Sequence, residues 1–154
     1  MSELAFTGGL FSYAEVVMFD WYRRCTYDGE QKRAFHCQAR IALRALAKEL
    51  RLPEVAYDLR SNRAGVAVSG EIILHGETIY IQVCQPATGP DSGILIRTCE
   101  GRRDYEGGRN HLAPLSLLDR PAELAEYVRA VMSGDLSLIS RMFGPLSAWR
   151  LARG

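Results

Sequence analysis

The sequence predicts an α+β domain in which a three- to four-stranded antiparallel meander packs against N-terminal and C-terminal helices. Three observations carry this. From Val66 to Thr98 apolar and polar residues alternate around two turn signals, as strands with one buried face require. From Gly29 to Leu50 apolar residues recur at helical spacing, and from Ala122 to Met132 they do so again after a proline. The 154 residues suit a single domain, 1–154, with one core.

Taken in order, residues 1–12 read as an irregular lead-in with a short edge strand at Leu4–Thr7 before Gly8-Gly9. Tyr13 to Cys25 carries Val16, Val17, Phe19, Trp21 and Tyr22, apolar on most sides, and reads as a buried first helix. The second helix has a capping-box pattern at Asp28 and Gln31 and should stop before Pro53. Phe35, Ala39, Ala42, Leu43, Leu46 and Leu50 form its core face. Val55 to Arg60 alternates and is expected as an edge strand, with Ser61–Ala64 looping into Gly65.

Leu74-His75-Gly76-Glu77-Thr78 is a hairpin signal with Gly76-Glu77 as its loop. That corner pairs His75 with Thr78, Ile72 with Ile81, Gly70 with Val83 and Val68 with Gln85, and leaves His75 exposed. Val66, Val68, Ile72 and Leu74 then share the core side with Ile79, Ile81 and Val83. The turn chemistry of Pro86–Asp91 leads to a strand at Gly93–Cys99, pairing Val83 with Ile96 and Ile81 with Thr98. Asp119 caps a helix with Pro121 in its first turn, which Ser133-Gly134 ends; Leu124, Tyr127, Val128 and Val131 face inward. Asp135 starts a further helix to about Phe143, and Leu146–Ala152 is a terminal turn in which Trp149 is a docking anchor.

Two surfaces are candidate binding sites. The second helix places Arg33, Arg40, Arg44, Lys48 and Arg51 within about 80° of one another, roughly opposite its core face. Solvated helix faces usually mix signs for i,i+4 pairing; between Gln31 and Arg51 this one has six basic residues and a single acid, Glu49, off the stripe. A single-sign stripe suits an anionic partner, either an acidic protein surface or a nucleic-acid backbone held without base reading. The second surface is the outer sheet face. The register above aligns Glu71, Gln82 and Arg97 in one row, as a charge ladder or as the floor of a ligand site. The glycine-rich loop beyond it supplies Arg102, Arg103, Asp104, Tyr105, Arg109, Asn110 and His111. The same face would also serve as a homodimer interface.

The sequence assigns no catalytic residue. It has no nucleophile elbow, no H-E-x-x-H, no Walker loop and no dinucleotide fingerprint, and it implies no cofactor. A zinc site at Cys25, His36 and Cys37, a hydrolytic metal site at Glu71, Asp104 and His111, and a Cys99–His111 nucleophile pair are conceivable but lack diagnostic spacing. The expectation is therefore a cytoplasmic binding or regulatory protein with reduced, buried cysteines, no signal peptide and no membrane span; a small metal-dependent hydrolase or nuclease is the alternative. A net charge of +1 means that any electrostatic recognition is local.

Overall fold

A computed structural model describes residues 18–26, 29–135 and 137. The expectations for residues 1–17, for the Asp28 cap, for the helix to Phe143 and for Trp149 lie outside the described residues. Helix α1, Glu30–Glu49, buries Phe35, Ala39, Ala42, Leu43, Leu46 and Ala47, as its spacing dictates. Its N-cap is Gly29, with no side-chain cap. It closes with the Arg51 amide donating to the Lys48 carbonyl at 3.0 Å and the Leu52 amide to Ala47 at 2.9 Å. In this closure Arg51 takes φ 59°, a left-handed position usually given to glycine. The Arg129 guanidinium donates to the Glu49 carbonyl at 2.6 Å, covering one more of the helix's last acceptors.

Five antiparallel strands follow in spatial order: β1 Tyr57–Asn62, β2 Glu71–Gly76, β3 Ile79–Val83, β4 Ile94–Thr98 and β5 His111–Ala113. The fifth exceeds the expected count. The hairpin corner is Glu77-Thr78, not Gly76-Glu77, so Leu74 pairs with Ile81 and His75 with Tyr80. β3 and β4 shift likewise, with Ile81 opposite Ile96 and Tyr80 opposite Arg97. Both registers differ from the expected ones by two residues, which keeps every side chain on its expected face but changes its row.

The alternating pattern before β2 is not a strand. Gly70 takes φ 71°, and a Cβ there would lie 2.5 Å from the Asn62 carbonyl, so the chain turns sharply into β2. Residues 63–69 leave the sheet, and Val66 is fully exposed instead of buried.

Helix α2, Pro121–Ser133, buries Leu124, Tyr127, Val128 and Val131 as expected. It and α1 cover one sheet face, where Ile72, Leu74, Ile79, Ile81, Val83, Ile94 and Ile96 complete the core. Residues 18–25 are not helical. Three of their backbone groups go to one side chain: Gln85 accepts from the Cys25 amide at 3.0 Å and donates to the carbonyls of Trp21 at 3.1 Å and Arg23 at 2.7 Å. Trp21 is a core residue, and its indole donates to Asp119 at 2.8 Å. That bond takes the carboxylate expected to cap α2, whose N-cap is Arg120. No helix among the described residues is long and apolar enough to cross a membrane.

Candidate functional site

The helices pack on one face of the sheet, and the loop between β4 and β5 folds over the other. The two charged surfaces therefore lie on opposite sides of the molecule.

On the outer face the observed register separates the proposed trio. Gln82 lies opposite Ile73 and Leu95, Arg97 lies opposite Tyr80, and Glu71 pairs with Asn62, whose side-chain amide donates to it at 3.2 Å. Glu71, Gln82 and Arg97 thus occupy three successive rows. The row that does form contains Asp58, His75, Tyr80 and Arg97, and Asn110 accepts from Arg97 at 3.3 Å. His75 is completely buried here, not exposed at a corner. Its Nδ1 lies 3.2 Å from the Arg60 guanidinium, which can only donate, so the ring proton belongs on Nε2, 3.0 Å from the Gly101 carbonyl. The imidazole also meets Tyr80 and Tyr105 edge-on, with centroids 5.1 and 5.5 Å away.

Asp104 and Arg102 hold the conformation of the glycine-rich loop. Asp104 accepts the amides of Glu100 at 2.9 Å, Gly107 at 2.9 Å and Glu106 at 3.2 Å. The Gly107 and Glu100 amides hold its carboxyl below the usual aspartate range. Arg102 pairs with Glu77 at 2.8 Å and Asp58 at 3.3 Å and donates to the Val55 carbonyl. Arg97 stacks on Tyr80 at 4.2 Å and donates to the Tyr105 carbonyl, while Arg60 lies 5.8 Å from the Tyr105 ring centre. Gly107 has φ 62°, and a Cβ there would stand 2.6 Å from the Thr98 carbonyl; the glycine permits close backbone packing. Arg103 and Arg109 are exposed.

The catalytic combinations do not assemble. His111 faces the inner side opposite Ile96, whereas Cys99 belongs to the outer cluster with Ile73 and Tyr80. Burial pushes the Cys99 thiol up and, with Arg109, pushes His111 down, so the first is held as a thiol and the second as neutral imidazole. Burial likewise raises the Cys84 thiol to about 11. All four cysteines are free, and Cys37 is exposed rather than buried. His36 is buried and directed to the Ser69 carbonyl at 2.6 Å, away from any zinc set. Among the described residues no group of three His, Cys, Asp or Glu side chains could hold a metal, including Glu71, Asp104 and His111.

The helix surface is different. Arg33, Arg44, Lys48 and Arg51 are all exposed. None of the four enters an ion pair among the described residues. Arg40, the fifth member, is half-buried and reaches β1, donating to the Leu59 carbonyl at 3.3 Å and Ser61 Oγ at 3.2 Å. It covers an open acceptor on an edge strand.

Sequence reasoning missed His75, Tyr80 and Arg60 as a cluster, and it missed a cleft of about 320 Å³ between Trp21, Tyr22, Val66, Val68 and Pro86. A hairpin corner one residue later, and so a register shifted by two, reveals the first. The second depends on Gln85 reaching residues 21–25, far from it in sequence, which leaves no local pattern. No protein-family model, curated protein or solved structure matches this chain.

Proposed function

We propose that the protein is a binding module that engages an anionic macromolecule, an acidic protein surface or a nucleic-acid backbone, through the exposed cationic face of α1. One observation carries this reading: Arg33, Arg44 and Lys48 along one helix face, with Arg51 just past its end, are exposed and without ion-pair partners among the described residues, while Arg97 and Arg102 on the outer sheet face are committed to internal bonds. Unpaired charge of one sign costs self-repulsion in the free protein, and a partner of opposite sign relieves it. Such binding is local and salt-dependent because the chain as a whole carries only +1.

Fluorescence anisotropy with labelled heparin, polyglutamate and duplex DNA tests the reading. Affinity for at least one probe should fall steeply as salt rises from about 50 to 200 mM. Combined Arg33→Glu, Arg44→Glu and Lys48→Glu should weaken it about 100-fold or more without changing the thermal midpoint. Absence of binding to all three at low salt, or binding indifferent to the triple variant, would refute the proposal.

A further inference from the structure

The cationic face of α1 is not uniformly polar. Ile41 stands in it with 54% of its surface exposed. Arg44 and Lys48 follow it by three and seven positions, Cys37 and Ala34 precede it by four and seven, and Arg33 precedes it by eight. These spacings all fall on one side of a helix. Ala34, Cys37, Arg33, Arg44 and Lys48 are exposed as well. The face therefore reads cation, small apolar, large apolar, cation, cation.

We propose, resting on the binding reading above, that the partner is an acidic protein segment presenting an apolar anchor, an amphipathic acidic helix, rather than a nucleic acid. Charge complementarity sets the sign of the partner, and the placement of Ile41 sets its kind. A phosphate backbone offers this side chain no apolar counterpart. An amphipathic acidic helix laid along α1 buries Ile41 and the Ala34–Cys37 patch against its own aliphatic residues, while its carboxylates meet Arg33 at one end and Arg44 and Lys48 at the other. The apolar contact at the centre with charges at the rim follows the usual anatomy of a protein–protein interface.

Two labelled peptides of identical composition and about 16 residues, four helical turns, test this. Both are rich in glutamate; in one the leucines lie at i, i+3, i+4 and i+7, in the other they are scattered around the helix. A duplex DNA of similar charge is the third probe. The amphipathic peptide should bind about tenfold more tightly than its isomer, the scale expected for burying part of an isoleucine side chain. Ile41→Ser should abolish that difference while leaving the isomer's affinity unchanged, and Ile41→Leu should preserve it. Equal affinities of the two peptides, a difference that survives Ile41→Ser, or duplex DNA binding more tightly than either peptide would overturn the inference and leave the anionic-partner reading standing. Failure of all three probes would overturn both.

Discussion

The loop over the outer sheet face and the exposed face of α1 are both rich in arginine, yet they use it in opposite ways. On the outer face, Arg102 of the loop meets Glu77 and Asp58, and Arg97 of β4 beneath it meets Tyr80, Asn110 and the Tyr105 carbonyl. On the helix, Arg33, Arg44 and Lys48 extend into solvent. The contrast teaches that charge density alone does not mark a site. What separates the two is whether the backbone around the charge offers it partners. An irregular loop exposes carbonyls and amides that need satisfying, and its ionic side chains are drawn to them and to the strand ends. A helix interior has already satisfied its backbone, so charges on its outer face remain available.

Substitutions can break this contrast at several strengths. The largest effect should come from the centre of the outer cluster. His75→Ala removes a buried ring with two polar contacts and two aromatic neighbours and should cost about 3 kcal/mol in urea unfolding. A loss below about 1 kcal/mol would show that the loop is not clasped to the sheet through this ring. Gly107→Ala should follow at about 2 kcal/mol, since it forces a methyl against the Thr98 carbonyl from a left-handed backbone. Tolerance of alanine at this position would mean that the loop moves freely of β4.

Acid should act next, and through the interior. Burial lowers the pKa of His36 and of His111 below the ordinary 6.5, outweighing the His36–Ser69 bond in the first case and reinforced by Arg109 in the second. Above that value both states are neutral and nothing is lost. As pH falls below it the unfolded chain binds protons that the folded chain refuses, so stability declines until the lowered folded values are passed, then levels off for these two groups. Urea midpoints between pH 7.5 and 5 should fall accordingly. A midpoint constant across that range, or one that rises toward pH 5, would contradict neutral burial of both rings.

The smallest changes should come from the helix side. Arg51→Gly relieves a left-handed non-glycine residue and should stabilise the fold by about 0.5–1 kcal/mol, even though it removes a cation just beyond the proposed binding face. A thermal midpoint that falls instead would assign Arg51 a contact beyond its cap. Lys48→Ala should change stability by no more than about 0.5 kcal/mol. A larger cost would place this lysine among the committed charges.

The parts of the fold readable in the sequence were those that depend on period. The facing of every residue from Ile72 to Val83 follows from alternation, and the core face of α1 follows from helical spacing. The row assignments were not readable. A slip of two residues leaves the buried set unchanged, so the apolar pattern cannot detect it, and the choice falls to the corner and its distant contacts. Those contacts are the Arg102–Glu77 pair and the bond from the Cys99 amide to the Thr78 carbonyl, both made by residues far along the chain. The apolar pattern alone therefore groups Glu71, Gln82 and Arg97 in one row and leaves His75 exposed, where the observed register separates the trio and buries the ring. Of the five cations expected on the helix, a neighbouring edge strand captures Arg40 and the left-handed closure carries Arg51 past the helix end.

The indole of Trp21 reaches a carboxylate 98 positions later in the chain. During synthesis the segment carrying this tryptophan can meet Phe35 and Gln85 early, but the indole gains its acceptor only once Asp119 has emerged, so this last contact closes a very long loop. With Trp149→Phe leaving Trp21 as the single tryptophan, its fluorescence should register completion of the fold, changing with the slowest refolding phase rather than with formation of the Glu77-Thr78 hairpin.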